Sequence, residues 1–424
     1  MPLTGSGRNR NFRECRRRRP YGADGRDAPR PYMEPRAVMQ GGLVSMRAAL
    51  QRLLTVIFVV LAGTAVSGCA SRPGPELLDT ALEPVPGAKV VTVYVATTRD
   101  RNIPGSKAFG EAWGRQTGYA AYRISLPPDH KQGQIEWPNG KPDPAHNFVT
   151  VEQRPLDHAA FASTVARRGA SGQPPKVWVF VHGFNTNFQE AVYRLAQMVG
   201  DSGTDTVPIL FAWPSAGTVT GYVADKDAAT YSRDALANLL TELAQEKTTG
   251  KITLIGHSMG GWLTAETLRQ LRIAGRGKVL ERLQVVLAAP DIDVDVFREQ
   301  MAVVGRMDPP LTVLVSSDDL ALRVSGRIAG ARKRLGALDV DDPRVQELAL
   351  QYDLRIIDIS GLQASDEFKH DRFVGLAAIY PKLQEQQDSR PDLQLRRAGA
   401  FVFNAVGTTL SAPFSLAGQA LTGE

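Results

Sequence analysis

Short continuous apolar runs recur through the middle of this chain, at 177–181, 207–212, 252–255, 283–288, 311–315 and 354–359. Runs this short and unbroken suit strands buried on both faces, as in a parallel sheet. Between them the spacing changes to that of helices. In 234–245, Leu236, Leu239, Leu240 and Leu243 fall at i, i+3, i+4 and i+7, one face of an amphipathic helix. Strand and helix patterns alternating in this way predict a mainly parallel sheet flanked by helices, an α/β fold. Upstream, the β-branched run 89–97 and the strand-like segments 119–125 and 148–151 predict an antiparallel N-terminal elaboration.

One junction of strand and helix carries a chemical signature. The run Gly256-His257-Ser258-Met259-Gly260 follows the strand pattern at 252–255 and precedes the helical spacing of Trp262, Ala265, Leu268 and Leu271. A G-x-S-x-G pentad is weak evidence alone, since glycine and serine are common. Its setting is what a nucleophile elbow requires: a serine on a strained strand-to-helix turn, with small neighbours that let backbone pass close. The turn also sets the Ser258 hydroxyl at a helix N-terminus, where oriented N–H groups favour developing negative charge.

A serine hydroxyl is a poor nucleophile at neutral pH and needs a base, most often histidine. In folds built on such an elbow the chain order is serine, acid, histidine. Of six histidines only His370 lies after Ser258, in the polar stretch Asp366-Glu367-Phe368-Lys369-His370-Asp371 ahead of a helical pattern at 373–383. The acid that orients it belongs at the carboxyl end of an intervening strand. Two loops qualify, Ser316-Ser317-Asp318-Asp319-Leu320-Ala321-Leu322 and Pro290-Asp291-Ile292-Asp293. Asp318 reads as the cap of the following helix.

An oxyanion hole needs two backbone donors, one after the nucleophile and one from the loop after an earlier strand. Met259 supplies the first. The second loop is His182-Gly183-Phe184-Asn185-Thr186, which resembles the H-G-F-N oxyanion run of many hydrolases and makes Phe184 the donor. His182 precedes the serine and fits the rim or a supporting role. Trp213-Pro214 fits either the lining of an acyl pocket or the core.

Together, Val179-Phe180-Val181-His182-Gly183-Phe184-Asn185-Thr186, Phe211-Ala212-Trp213-Pro214-Ser215, Gly256-His257-Ser258-Met259-Gly260 and Leu287-Ala288-Ala289-Pro290-Asp291 resemble bacterial esterase/lipase-superfamily α/β hydrolases, long filed as a family of unknown function. The similarity covers roughly residues 89–384, including Val93-Tyr94-Val95-Ala96-Thr97-Thr98-Arg99 and Pro127-Pro128-Asp129-His130-Lys131 near its start. It implies the α/β-hydrolase fold and cleavage of an acyl ester through an acyl-enzyme, with Ser258 as nucleophile and His370 as base. It favours Asp319 as the acid, because 316–322 resembles the family pattern of small polar residues, Asp and a helix beginning x-Ala-Leu. Asp291 is the alternative acid. No cofactor is implied and no metal is expected: Asp291, Asp293 and Asp295 have a Ca²⁺-like spacing without the rest of an EF-hand-like loop. An acyltransferase, in which an alcohol replaces water, fits the same residues. So does a non-catalytic binding module, although such a module has no need of Ser258, Asp319 and His370 together.

Charge and the N-terminal segment change the picture of compartment. A net charge of +6 and a pI near 9.3 suggest a nucleic-acid or membrane partner. Residues 1–45 hold ten Arg against four acids, which is the whole surplus, so no nucleic-acid partner is expected for the body. Met46 opens an export signal: Arg47 and Arg52, an apolar run at 53–62, then small residues up to Cys69. The run falls short of the ~20 residues of a membrane-spanning helix. Val66-Ser67-Gly68-Cys69 resembles the lipobox of bacterial lipoproteins, whose Cys is acylated and becomes the first mature residue. Cys15 lies in the leader, which leaves Cys69 no disulfide partner in an exported chain; lipidation gives it a role.

The expected organisation is then an over-extended basic leader over 1–45, a lipoprotein signal peptide over 46–68, a Pro-rich tether over 69–88, the hydrolase domain over 89–384 and a tail over 385–424. In the tail, 398–422 reads as a packed helix or an interfacial segment. Ala70 after Cys69 favours the outer membrane of a Gram-negative cell. The expectation is an enzyme anchored to the cell envelope, facing the periplasm.

Overall fold

The apolar runs become the strands of one sheet, seen here in a computed structural model that describes residues 72–79, 81–101, 108–167, 174–377 and the backbone of 401–404. The leader, the export signal and Cys69 lie outside the described residues. The strands are β1 (Lys89–Arg99), β2 (Trp113–Leu126), β3 (Val149–Leu156), β4 (Lys176–Val181), β5 (Thr206–Ala212), β6 (Ile252–His257), β7 (Leu283–Ala288), β8 (Thr312–Val315), β9 (Arg355–Asp358) and β10 (Phe401–Asn404). Their order is β10-β9-β8-β7-β6-β4-β5-β1-β2-β3. Strands β4 to β10 pair in parallel, while β2 and β3 are antiparallel to their neighbours. Strand β1 joins the two parts, pairing in parallel with β5 so that Tyr94 faces Ile209. The N-terminal elaboration is therefore continuous with the main sheet.

The helices are α1 (Glu76–Asp79), α2 (His158–Arg167), α3 (Phe188–Ser202), α4 (Tyr222–Gln245), α5 (Met259–Ile273), α6 (Gly277–Leu280), α7 (Val294–Val304), α8 (Leu320–Ile328), α9 (Pro343–Tyr352) and α10 (Phe373–Ala377). They cover both sheet faces, which is why the strand runs are continuously apolar. From β4, Val177, Val179 and Val181 enter one core with Leu236, Leu240, Leu263 and Leu268, while Trp178 and Phe180 enter the other with Val192, Leu195 and Phe373. Each such buried side chain contributes about 1.5–3 kcal/mol.

Local signals fix the helix ends. Asn187 caps α3 by accepting from the Glu190 amide at 2.9 Å, and Glu190 returns a bond to the Asn187 amide at 3.0 Å, a capping box. Gly203 ends that helix at φ 63°, where a side chain would be strained. Helix α4 begins at Tyr222, ahead of the predicted 234. Its first half has no leucine stripe; instead Asp225, Ala228, Ala229 and Ser232 form its buried face.

Two expectations about the ends change. From Arg72 onward the predicted tether lies on the body: Leu78 is fully buried, Thr150 Oγ1 donates to the Leu77 carbonyl at 2.7 Å, and the Leu82 amide donates to the Thr150 carbonyl at 2.9 Å. Within 398–422, expected as a packed helix or interfacial segment, the described residues Phe401–Asn404 form an edge strand parallel to β9. The sequence Phe-Val-Phe has high strand propensity, which accounts for this.

A half-buried imidazole ties the N-terminal elaboration to α3. His130 Nδ1 lies 2.7 Å from Glu136 Oε2 and His130 Nε2 lies 2.8 Å from Asp201 Oδ1. Burial opposes its charge, but the hydrogen bonds to Asp201 and Glu136 prevail and raise its pKa above the ordinary value. A raised folded-state pKa stabilises the fold fully below the unfolded value and loses its effect as pH rises through the folded one. We expect His130→Gln to lower stability by about 2 kcal/mol near pH 6 and by clearly less near pH 9, read by urea unfolding at both. A difference independent of pH would contradict the charged clamp.

Candidate active site

Strand β6 delivers Ser258 to the N-terminus of α5 with φ 53° and ψ −119°. A non-glycine residue there costs about 1–3 kcal/mol and persists only where the surroundings enforce it. The enforcement is visible. The Ser258 amide donates to the Ala288 carbonyl at 2.9 Å, and its own carbonyl accepts from Gly261 at 2.9 Å and Asp291 at 3.1 Å. A Cβ at Gly260 would collide with the carbonyl oxygens of Val181 and His182, and one at Gly183 would stand 2.9 Å from His257 Nδ1 and 3.0 Å from Ser258 Cβ. Strand β4, its following loop and the elbow thus touch backbone to backbone.

His370 Nδ1 lies 2.6 Å from Asp319 Oδ2. Asp319 is fully buried, and its other oxygen accepts from the Leu322 amide at 2.9 Å, so this residue caps α8. The expectation that Asp318 is the cap is corrected. Asp318 is turned toward Arg372 and toward Lys369 Nζ at 3.0 Å, and the hydrogen bond from Arg372 pulls its pKa far below the carboxylate range. Burial works against charge on His370, but the hydrogen bond and charge of Asp319 outweigh it and raise its pKa above the ordinary value. The His370 amide donates to Asp366 Oδ1 at 2.8 Å, fixing the loop.

His257 brings this imidazole to the elbow. Its ring stands 4.7 Å from that of His370 and 4.2 Å from that of Phe373, and its Nε2 donates to the His370 carbonyl at 3.3 Å. Burial, reinforced by the neighbouring His370, keeps His257 neutral. Among the described residues Ser258 Oγ makes no hydrogen bond to His370; such contacts are often open without substrate.

Asp291 is held elsewhere. Arg334 Nε lies 3.0 Å from its Oδ1, Ser325 Oγ donates to Oδ1 at 2.8 Å, and Tyr222 Oη donates to Oδ2 at 2.8 Å. Asp293 and Asp295 face Arg332, at 2.7 Å in the second case.

The loop after β4 is braced by buried charge. Asp225 accepts from Ser215 Oγ at 2.6 Å, from the Ala216 amide at 2.8 Å and from the Asn185 amide at 3.3 Å. Arg99 donates to the Thr186 carbonyl at 3.0 Å and to the Gly110 carbonyl at 2.9 Å. Burial lowers the Arg99 pKa to about 10, with Asp225 opposing, so it remains charged at neutral pH. His182 is walled in: Trp213 Nε1 donates to its carbonyl at 2.7 Å, the two rings stack at 4.8 Å, and burial lowers its pKa to about 3. It supports the loop, and so does Trp213, which is fully buried. The amides of Phe184 and Met259 donate to no protein acceptor among the described residues, which leaves both available to an oxyanion.

Residues 157–387, more than half of the chain, match the family described as alpha/beta hydrolase of unknown function (DUF900). The chain belongs to this family. A curated relative, the uncharacterized protein alr1448 of Nostoc sp. (strain PCC 7120), is 43% identical over 61 residues, which cover 14% of this chain and 16% of that protein. Solved structures with a similar chain path include the iron-lacking apo form of EstFA, at 12% identity, TM-score 0.34 and coverage of 77% of this chain and 97% of that one. An esterase of Rhizomucor miehei is 12% identical with TM-score 0.32, covering 78% and 97%.

Several supports of the site in this α/β hydrolase escape sequence reading. Asp225 sits in a segment without leucines, although the small residues Ala228, Ala229 and Ser232 at i+3, i+4 and i+7 mark a close-packed helical face. Arg99 ends a strand-like run and carries no signal of its own. Loss of Asp225 strands three donors and removes the largest of the negative charges that oppose Arg99. We expect Asp225→Ala to destabilise the hydrolase by about 3 kcal/mol or more in urea unfolding; a loss below about 1 kcal/mol would contradict the bracing role.

Proposed function

We propose that this α/β hydrolase cleaves carboxylic esters through an acyl-enzyme on Ser258. The observation that carries the reading is a buried serine strained to φ 53° at a helix N-terminus, with, 4.7 Å from the ring of the preceding His257, an imidazole held 2.6 Å from a buried carboxylate. Ser258 Oγ attacks the ester carbonyl carbon while His370 Nε2 takes its proton. Asp319 accepts from His370 Nδ1–H, which fixes the tautomer and stabilises the imidazolium. The negative oxygen forms beside the amides of Met259 and Phe184. Collapse expels the alcohol, protonated by His370. Water, deprotonated by the same imidazole, then attacks the acyl-enzyme and frees the acid and Ser258. Asp319 takes the acid role over Asp291 because Asp291 already serves Arg334, Tyr222 and Ser325.

We further propose that the protein works in a bacterial envelope, acylated at Cys69 and held at the outer membrane facing the periplasm. Intact mass of protein purified from membranes should show a chain beginning at acylated Cys69. A chain that keeps residues 46–68 would overturn the anchor.

Fluorophosphonate should label wild type and not Ser258→Ala, and the variant should lose about 10⁴-fold or more in kcat on p-nitrophenyl butyrate. Labelling that survives in the variant would place the nucleophile elsewhere. The base must be neutral, so the rate should rise with pH through the His370 pKa. Because Asp319 raises that pKa, Asp319→Asn should move the acidic limb to lower pH and cut kcat by about 10⁴-fold. A limb that stays in place would remove Asp319 from the mechanism.

A further inference from the structure

The first described residue is bolted to the edge of the site. Arg72 donates from Nη1 to Asn185 Oδ1 at 2.7 Å, from Nη2 to the Asn185 carbonyl at 2.7 Å and from Nε to Glu190 Oε1 at 2.9 Å; it also reaches the Gly217 carbonyl. The Pro73 carbonyl accepts from Asn187 Nδ2 at 3.1 Å. Asn185 directly follows Phe184, so the chain enters the body beside the loop that offers an oxyanion donor. Cys69 lies three residues upstream, a reach of at most ~11 Å, where a free tether over 69–88 would allow ~60 Å.

The same face exposes apolar side chains. Val219 and Val223, 75% and 71% exposed, flank Tyr222 on the segment that also supplies Gly217 to Arg72. On α8, Leu320, Val324 and Ile328 fall at i, i+4 and i+8 and are 38%, 47% and 58% exposed, while Leu322, Ser325 and Gly326 form the buried face. Phe368, 55% exposed, accepts from the Leu320 amide at 3.0 Å and lies two residues before His370. Exposed Arg323 and Arg327 alternate with the apolar stripe of α8. An outward apolar stripe edged by arginine suits an anionic leaflet.

We propose that the face carrying Ser258 docks on the lipid leaflet in which Cys69 is anchored, and that the substrate is an acyl ester presented by that leaflet. The substrate half rests on the ester-hydrolase reading; the docking half rests instead on the proposed anchor at Cys69. Lipidated full-length protein purified from membranes, in a Ser258→Ala background, tests docking on vesicles of phosphatidylethanolamine and phosphatidylglycerol. An environment-sensitive fluorophore on Val324→Cys should brighten at least about twofold and be quenched by brominated lipid. The same label on Ile273→Cys, at the end of α5 away from Ser258, should do neither. Equal responses at the two positions would overturn the docking face.

For the substrate half, turnover of a vesicle-borne acyl ester is divided by turnover of soluble p-nitrophenyl butyrate. The Val324→Glu/Ile328→Glu double variant should lower this ratio at least about fivefold. An unchanged ratio would overturn the proposal that the leaflet presents the substrate. Wild type inactive on both esters would overturn the hydrolase reading and the substrate half together, while the label response still decides the docking face.

Discussion

The arrangement around Ser258 depends on close contact of backbone. A serine at φ 53° relaxes unless something forbids it, and here the end of β4, the start of α5 and the loop after β7 leave it no room. Relaxation would drive carbonyl groups into one another or break the bonds from the Gly261 and Asp291 amides to the Ser258 carbonyl. The strain is held by the sheet, because β4, β6 and β7 are adjacent and in register, Val181 beside Gly256 and Gly256 beside Leu287. A parallel sheet with helices on both faces supplies this rigidity, and the two cores supply the energy that outweighs a local cost of about 1–3 kcal/mol.

Around that frame, buried charges are used where apolar packing would stabilise the fold equally well. Asp225 near Arg99, and Asp291 with Arg334, lie in the interior with most of their polar atoms bonded. Such arrangements contribute little net stability, since desolvation cancels much of the attraction. Their directional bonds do something hydrophobic contacts cannot. They fix loop backbone: Asn185, Thr186 and Ala216 on one side of Ser258, and the turn of Asp291 on the other.

The sheet was legible because its strands are buried on both faces and so read as continuous apolar runs. The elbow was legible because its glycines answer to close approach, and Ser258 and His370 stand out by residue type and order, whereas order alone leaves both Asp319 and Asp291 as the acid. What could not be read depends on long-range contact. Nothing near Asp318 and Asp319 says which turns inward; the position of Arg372 and Lys369 decides it. Pro73, Pro75, Pro84 and Pro86 gave the segment before β1 the look of a tether, although the surfaces that bind it, Thr150 and the Asn185 loop, lie about seventy to over a hundred residues away. The edge strand at Phe401–Asn404 was missed because an isolated apolar stretch has no intrinsic partner until β9 offers one.

Asp319 places one carboxylate in two equilibria. One oxygen closes the first turn of α8 and the other faces the imidazole of His370. Whatever orders or frays that turn changes the field at the ring, and whatever protonates the ring changes the hold on the turn. By reciprocity the two free energies are equal. The proton affinity of His370 and the winding of a surface helix are thus a single coupled property of this fold.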